Sequence, residues 1–257
     1  MTEVPVVYSP WYILGVFVAN GIGCVLTVFC LVRMTDARRS TANRAVLVVG
    51  AAWGLIETAR DDALFVLVTA VHLRDDRVQF YLAPGFALTV GAMLIAIVVL
   101  GVAAARPGPL WTVCAGVTVG LLTSAMVVES ILSGRSGYAT SIDVADVIAV
   151  SAGLAAVIAI GVWLATGATE RWAMAVPIMV MGACLTVAQY LMAGEVTVDV
   201  TETVDEAAGV SPLTLVFFTV AAFGVRMIAL TVLSITDEDR MDRAAEAYEG
   251  TRRATGP

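Results

Sequence analysis

Glu57, Arg60, Asp61 and Asp62 crowd two helical turns of GLIETARDDALF (residues 54–65), between the apolar runs RAVLVVGAAW and VLVTAVHL. Carboxylates and guanidinium groups in such a setting can hold a cation, relay a proton, or lock helices together as ion pairs. Gly50, Gly54, Glu57 and Asp61 recur at spacings of four, three and four, which puts two small residues and two carboxylates on one helical face. Gly50 and Gly54 form a small-xxx-small pattern that lets another helix come close. The acids on that face are therefore expected to look into a bundle. Arg60 is within i,i+3 reach of Glu57. A fifth charge, Arg226, stands in FFTVAAFGVRMIAL.

The elements that must position these residues follow from composition. Apolar residues make up 59% of the 257 and charged residues 14%, against roughly 25% charged in soluble domains. Seven mostly apolar stretches are long enough to span a bilayer: 12–32, 45–71, 84–104, 110–132, 144–166, 172–193 and 213–235. The fold class expected is all-α, a polytopic membrane protein of seven transmembrane helices. Residues 1–11 form an outer head and 236–257 a cytoplasmic tail whose AAEAY stretch reads as a short solvated helix. The first span is too long for a signal-peptide core and reads as an uncleaved helix.

The chain has no lysine, so arginine sets orientation. Ten arginines fall on one side (33, 38, 39, 44, 106, 171, 240, 243, 252 and 253) and three on the other (74, 77 and 135). The positive-inside rule puts the N-terminus outside the cell membrane and the tail in the cytoplasm. The net charge of −7, largely from the loop EVTVDVTETVDE and the tail, gives no reason to expect a nucleic-acid partner. Cys24, Cys30, Cys114 and Cys184 all fall in spans without CxxC spacing and read as small apolar residues. His72 is the only histidine, too few for a multi-histidine metal or haem site. No metal or cofactor is expected.

The chain also repeats itself. VGAMLIAIVVLGV (90–102) and VSAGLAAVIAIGV (150–162) match at six of thirteen positions, where roughly two or three would arise by chance. VGLLTSAMVVESI and MGACLTVAQYLMA share a looser frame. The spans thus read as three tandem helix pairs followed by a seventh helix.

This layout resembles the MHYT family of bacterial integral-membrane sensor modules, whose helix pairs end in G-x-x-x-x-x-M-H-Y-x-G-M near the outer face. GLLTSAMVVESI fits that frame with Gly120 and Met126, MGACLTVAQYLMA with Gly182 and Tyr190, and SID (141–143) stands near the family's Tyr-Asp position. The outer SPWY opening, the Arg-rich first inner loop and the closing SITDEDRMDRAAEAY extend the resemblance over nearly the whole chain. It implies a sensory or signalling scaffold. The family's histidines and methionines are thought to hold copper, but those histidine positions fall here on Leu64 or a neighbour, Val127 and Gln189. None supplies an imidazole, and Met126 and Met192 are a poor remnant of a soft-metal site. The scaffold is expected without its copper.

Depth completes the reading. Counting ~1.5 Å per residue from Arg44, Glu57 lies near mid-membrane and Asp61 in the outer half, while Arg226 lies in the inner half of its helix. The expectation is an interhelical Glu57–Arg226 pair, extended outward by Arg60 and Asp61. A polar patch of Arg60, Asp61, Glu129, Gln189 and Tyr190 would then stand where the family keeps its metal. Asp62, on another face, is expected to reach a watery outer vestibule. Two roles compete for these charges: structural ion pairs that fix helix register, or a ligand, cation or proton site.

Function classes separate on the same residues. A rhodopsin needs a lysine for its Schiff base, which this chain lacks. An enzyme is not expected, since no nucleophile–base pair, metal motif or phosphate loop appears. A small transporter or ion- or proton-conducting protein using Glu57, Asp61 and Arg226 is the alternative to a sensor. The expected partners are the bilayer and a cytoplasmic or membrane signalling protein, because the tail is too short for an output domain.

Overall fold

A computed structural model describes residues 9–35, 40–70, 82–106, 108–132, 138–141, 144–167, 174–194, 197–200 and 211–254. Seven helices form where the apolar stretches lie: α1 (Pro10–Met34), α2 (Thr41–Ala70), α3 (Leu82–Ala105), α4 (Pro109–Leu132), α5 (Val144–Gly167), α6 (Ala175–Gly194) and α7 (Pro212–Ala254). Pro10 and Pro109 open α1 and α4, where a missing N–H costs nothing. Ser40 and Ser211 precede α2 and α7, with hydroxyls near the amides of Asn43 (3.4 Å) and Thr214 (3.3 Å).

Six of these helices, α1 and α3 to α7, are long and apolar enough to cross a membrane. The expected seventh span, α2, is the longest of the first six helices at 30 residues but carries Arg44, Glu57, Arg60, Asp61 and Asp62. By composition alone the count is six. The bundle nevertheless packs around α2, which touches α1, α3, α4, α6 and α7.

Small residues bring the helix backbones together. A methyl group on Gly23 of α1 would lie 2.7 Å from the carbonyl oxygen of Gly54 and strike the Thr58 hydroxyl. On Gly54 it would lie 2.7 Å from Thr27 Oγ1, and on Gly50 2.8 Å from Cys30 Sγ. The Gly50–Gly54 face therefore meets α1. Gly116 and Gly120 do the same for α4 and α5: a methyl group on either would come within 2.8 Å of the Ala159 or Ala155 backbone.

Two features differ from expectation. The α4–α5 and α6–α7 connections are joined by a two-stranded antiparallel ribbon, β1 (Tyr138–Ser141) with β2 (Thr197–Val200), in the register Tyr138↔Val200 to Ser141↔Thr197. The alternation of β-branched residues in TVDV suits such a pairing. Secondly, α7 does not stop at residue 235 but runs through the expected tail as one helix of 43 residues. The segment after Thr236 has no proline before Pro257 and is rich in Ala, Glu and Arg, which sustain helix.

Within its apolar stretch α7 is only 17% buried, against 50% for α6. It lies at the edge of the bundle. Leu213, Phe217, Phe218, Val225, Ile228 and Val232 form much of its open apolar surface.

Candidate functional site

The site is assembled on the C-terminal half of α2. Thr58, Asp61 and Asp62 stand at i, i+3 and i+4, so they form one continuous patch on the helix. The Thr58 hydroxyl donates to the Gly54 carbonyl at 2.5 Å, leaving its lone pair to accept from Arg226 Nη1 at 2.6 Å. Arg226 Nη2 lies 3.5 Å from Asp61 Oδ2 and 3.7 Å from Asp62 Oδ1. Arg226 is 1% exposed, and Asp62 is buried too. One guanidinium from α7 is thus held by a hydroxyl and two carboxylates of α2.

The expected Glu57–Arg226 pair is not formed. Side chains lean toward the N-terminus of their own helix. Arg226 therefore reaches toward the Pro212 end of α7, past the level of Glu57. Asp61 and Asp62, on the antiparallel α2, lean to meet it. Glu57 instead pairs with Arg60 at 3.7 Å, one turn along the same helix and partly exposed. Asp62 is corrected as well: it faces Arg226 in the core, not a watery vestibule.

The predicted patch of Arg60, Asp61, Glu129, Gln189 and Tyr190 does not gather into one pocket. Asp61 goes to Arg226. Arg60 goes to Glu57. The Glu129 carboxylate packs on Gly85, in the first turn of α3, where the helix dipole favours a negative charge. Gln189 belongs to a separate buried network: Asn20 Nδ2 donates to Gln189 Oε1 at 2.8 Å and to Thr186 Oγ1 at 2.9 Å, and Gln189 Nε2 donates to the Ala59 carbonyl at 3.3 Å. Tyr190, about 100° further round α6, packs with Val16, Val66 and Ala193.

Sequence reasoning missed Asn20, Thr58 and Thr186. The amide of Asn20 inside an apolar span was the available signal, and Thr58 is marked by its i, i+3, i+4 relation to the two aspartates. Leu64, Val127 and Gln189 are all buried. Among the described residues no group of three or more His, Cys, Asp or Glu is placed to hold a metal. His72 lies outside the described residues.

Chemically the arrangement is a clasp. It couples α7 to α2 through charge-assisted contacts in a low-dielectric setting, while apolar contact between the two is limited by α7's edge position. No protein-family model, curated relative or solved structure matches the chain, so the site is interpreted from its own geometry.

Proposed function

We propose that the chain is a seven-span membrane sensor or signalling module of the MHYT-like kind, without a copper site, in which α7 is the output element. The observation that carries this reading is the continuity of α7. From Arg226 to Ala254 is 28 residues, or about 42 Å of helix, more than the ~30 Å hydrocarbon core. Whatever shifts the Arg226 clasp is therefore joined to the membrane exterior by one rigid rod. The helix is peripheral and its main polar tie is a single side chain, which suits an element that moves.

In this reading α2 is the seventh span. It is enclosed by five other helices, and its acids are met by Arg226 of α7 and by its own Arg60. The N-terminus is outside and the far end of α7 is cytoplasmic, where a partner protein would receive the signal. A conducting protein would need polar groups along a route. Glu57, Arg60, Asp61, Asp62 and Arg226 cluster within two turns of α2, and the separate Asn20–Gln189 network ends on the Ala59 carbonyl.

Spin labels at Val46, in the first turns of α2, and Ile235, at the end of the apolar stretch of α7, both exposed, test the reading. In proteoliposomes, with the native cysteines replaced by alanine, the distance distribution should be narrow. It should shift or broaden by several ångströms in Arg226→Met. An unchanged distribution would sink the output role of α7. Proton or cation flux abolished by Asp61→Asn would favour the transporter instead.

A further inference from the structure

The clasp has an unbalanced charge. Asp61 and Asp62 share the one guanidinium of Arg226, while Arg60 is taken by Glu57. Asp62 is 2% exposed, and its Oδ2 has no hydrogen-bond partner among the described residues. A buried carboxylate oxygen left in that state is costly, and the natural remedy is a donor that also brings positive charge.

Asp62 also lines a groove of about 540 Å³ between α1, α2 and α7. Its walls are apolar and aromatic, including Trp11, Val18, Phe65 and Phe223. Trp11 and Val18 are exposed at its mouth, on the lipid-facing surface of the bundle. Gly15 forms part of the wall, and a methyl group added there would meet nothing within 4 Å among the described residues. The groove therefore offers apolar volume, aromatic faces that attract a cation, and one carboxylate oxygen needing a donor.

We propose that this groove binds a small protonated amine with a bulky apolar body, entering from the bilayer and donating an ammonium N–H to Asp62 Oδ2. A lipid acyl chain would fill the walls but leave Oδ2 unsatisfied. A divalent metal ion would find one carboxylate where it needs six or more oxygens or ordered water. The assignment goes beyond the signalling role and does not depend on it.

Adamantylamine is a suitable probe, with 1-adamantanol as its neutral counterpart. Each is titrated calorimetrically into the full chain in phospholipid nanodiscs, with empty nanodiscs subtracted. The amine should bind saturably at one site. Asp62→Asn should weaken it tenfold or more, and the alcohol should bind at least tenfold more weakly than the amine. Gly15→Phe fills the groove without touching the charges and should abolish binding while leaving thermal unfolding nearly unchanged, which keeps the test valid if Asp62→Asn folds poorly. Absence of saturable amine binding overturns the proposal. So does amine binding that survives Gly15→Phe, and so does equal binding of amine and alcohol that is indifferent to Asp62→Asn, which would make the groove a seat for lipid.

Discussion

The Arg226 guanidinium is held by Thr58, Asp61 and Asp62 of α2 and not by Glu57, and that displacement along the helix decides which residues the clasp depends on. Depth counted from the helix ends placed Glu57 and Arg226 level, yet a long side chain on a descending helix and acids on an ascending one both lean away from their own Cα level. The choice of Arg226 as the clasping cation was legible in its isolation within an apolar span; the identity of its acceptors was not. The consequence for stability is specific. Arg226→Met should destabilise the protein by about 3–5 kcal/mol, because two buried carboxylates lose their counter-charge. Adding Asp61→Asn and Asp62→Asn should recover much of that loss. Glu57→Gln, which removes only a partly exposed i,i+3 pair, should cost about 0.5 kcal/mol or less. Thermal unfolding in detergent reads all three, and a large Glu57 effect equal to that of Arg226 would contradict the assignment. The Asn20 network makes a second residue-scale prediction. Asn20→Leu removes the donor to Gln189 Oε1 and should cost about 1–3 kcal/mol, with Asn20→Leu plus Gln189→Leu closer to wild type in the same assay.

Helix faces were easier to read than side-chain partners. The Gly50–Gly54 spacing announced a close helix contact, and α1 makes it through Gly23, Thr27 and Cys30. Glycine on both sides of that crossing is required by geometry, since a methyl group on Gly23 runs into the Gly54 carbonyl oxygen and the Thr58 hydroxyl that supports Arg226. Gly23→Ala should therefore lower stability by about 1–3 kcal/mol, whereas Gly15→Ala, in open space, should be neutral or slightly stabilising. Comparable melting temperatures for the two variants would mean the α1–α2 crossing is looser than described. Hydropathy located the helices because the bilayer demands long apolar runs. It was silent on the β1–β2 ribbon, whose pairing links segments far apart in sequence, and it ended α7 too early because hydropathy marks the membrane boundary and not the end of the hydrogen-bonded helix.

At the scale of the whole molecule, the account rests on α2 being a charged span buried among apolar ones. Composition alone favours six crossings, since five ionisable residues disqualify α2. Packing favours seven, because α2 is the most enclosed helix of the bundle and its charges point at partners. The two counts differ in parity, which makes the question decidable. Seven crossings put the chain ends on opposite sides of the membrane; six put them on the same side. With the native cysteines replaced by alanine, single cysteines are placed at Ser9 and at Thr251. Intact cells are then treated with a membrane-impermeant maleimide, with lysed cells as the reference for full reactivity. The account predicts that residue 9 is labelled in intact cells and residue 251 only after lysis, in line with the arginine bias of ten to three. Labelling of both positions in intact cells, or of neither, would contradict it.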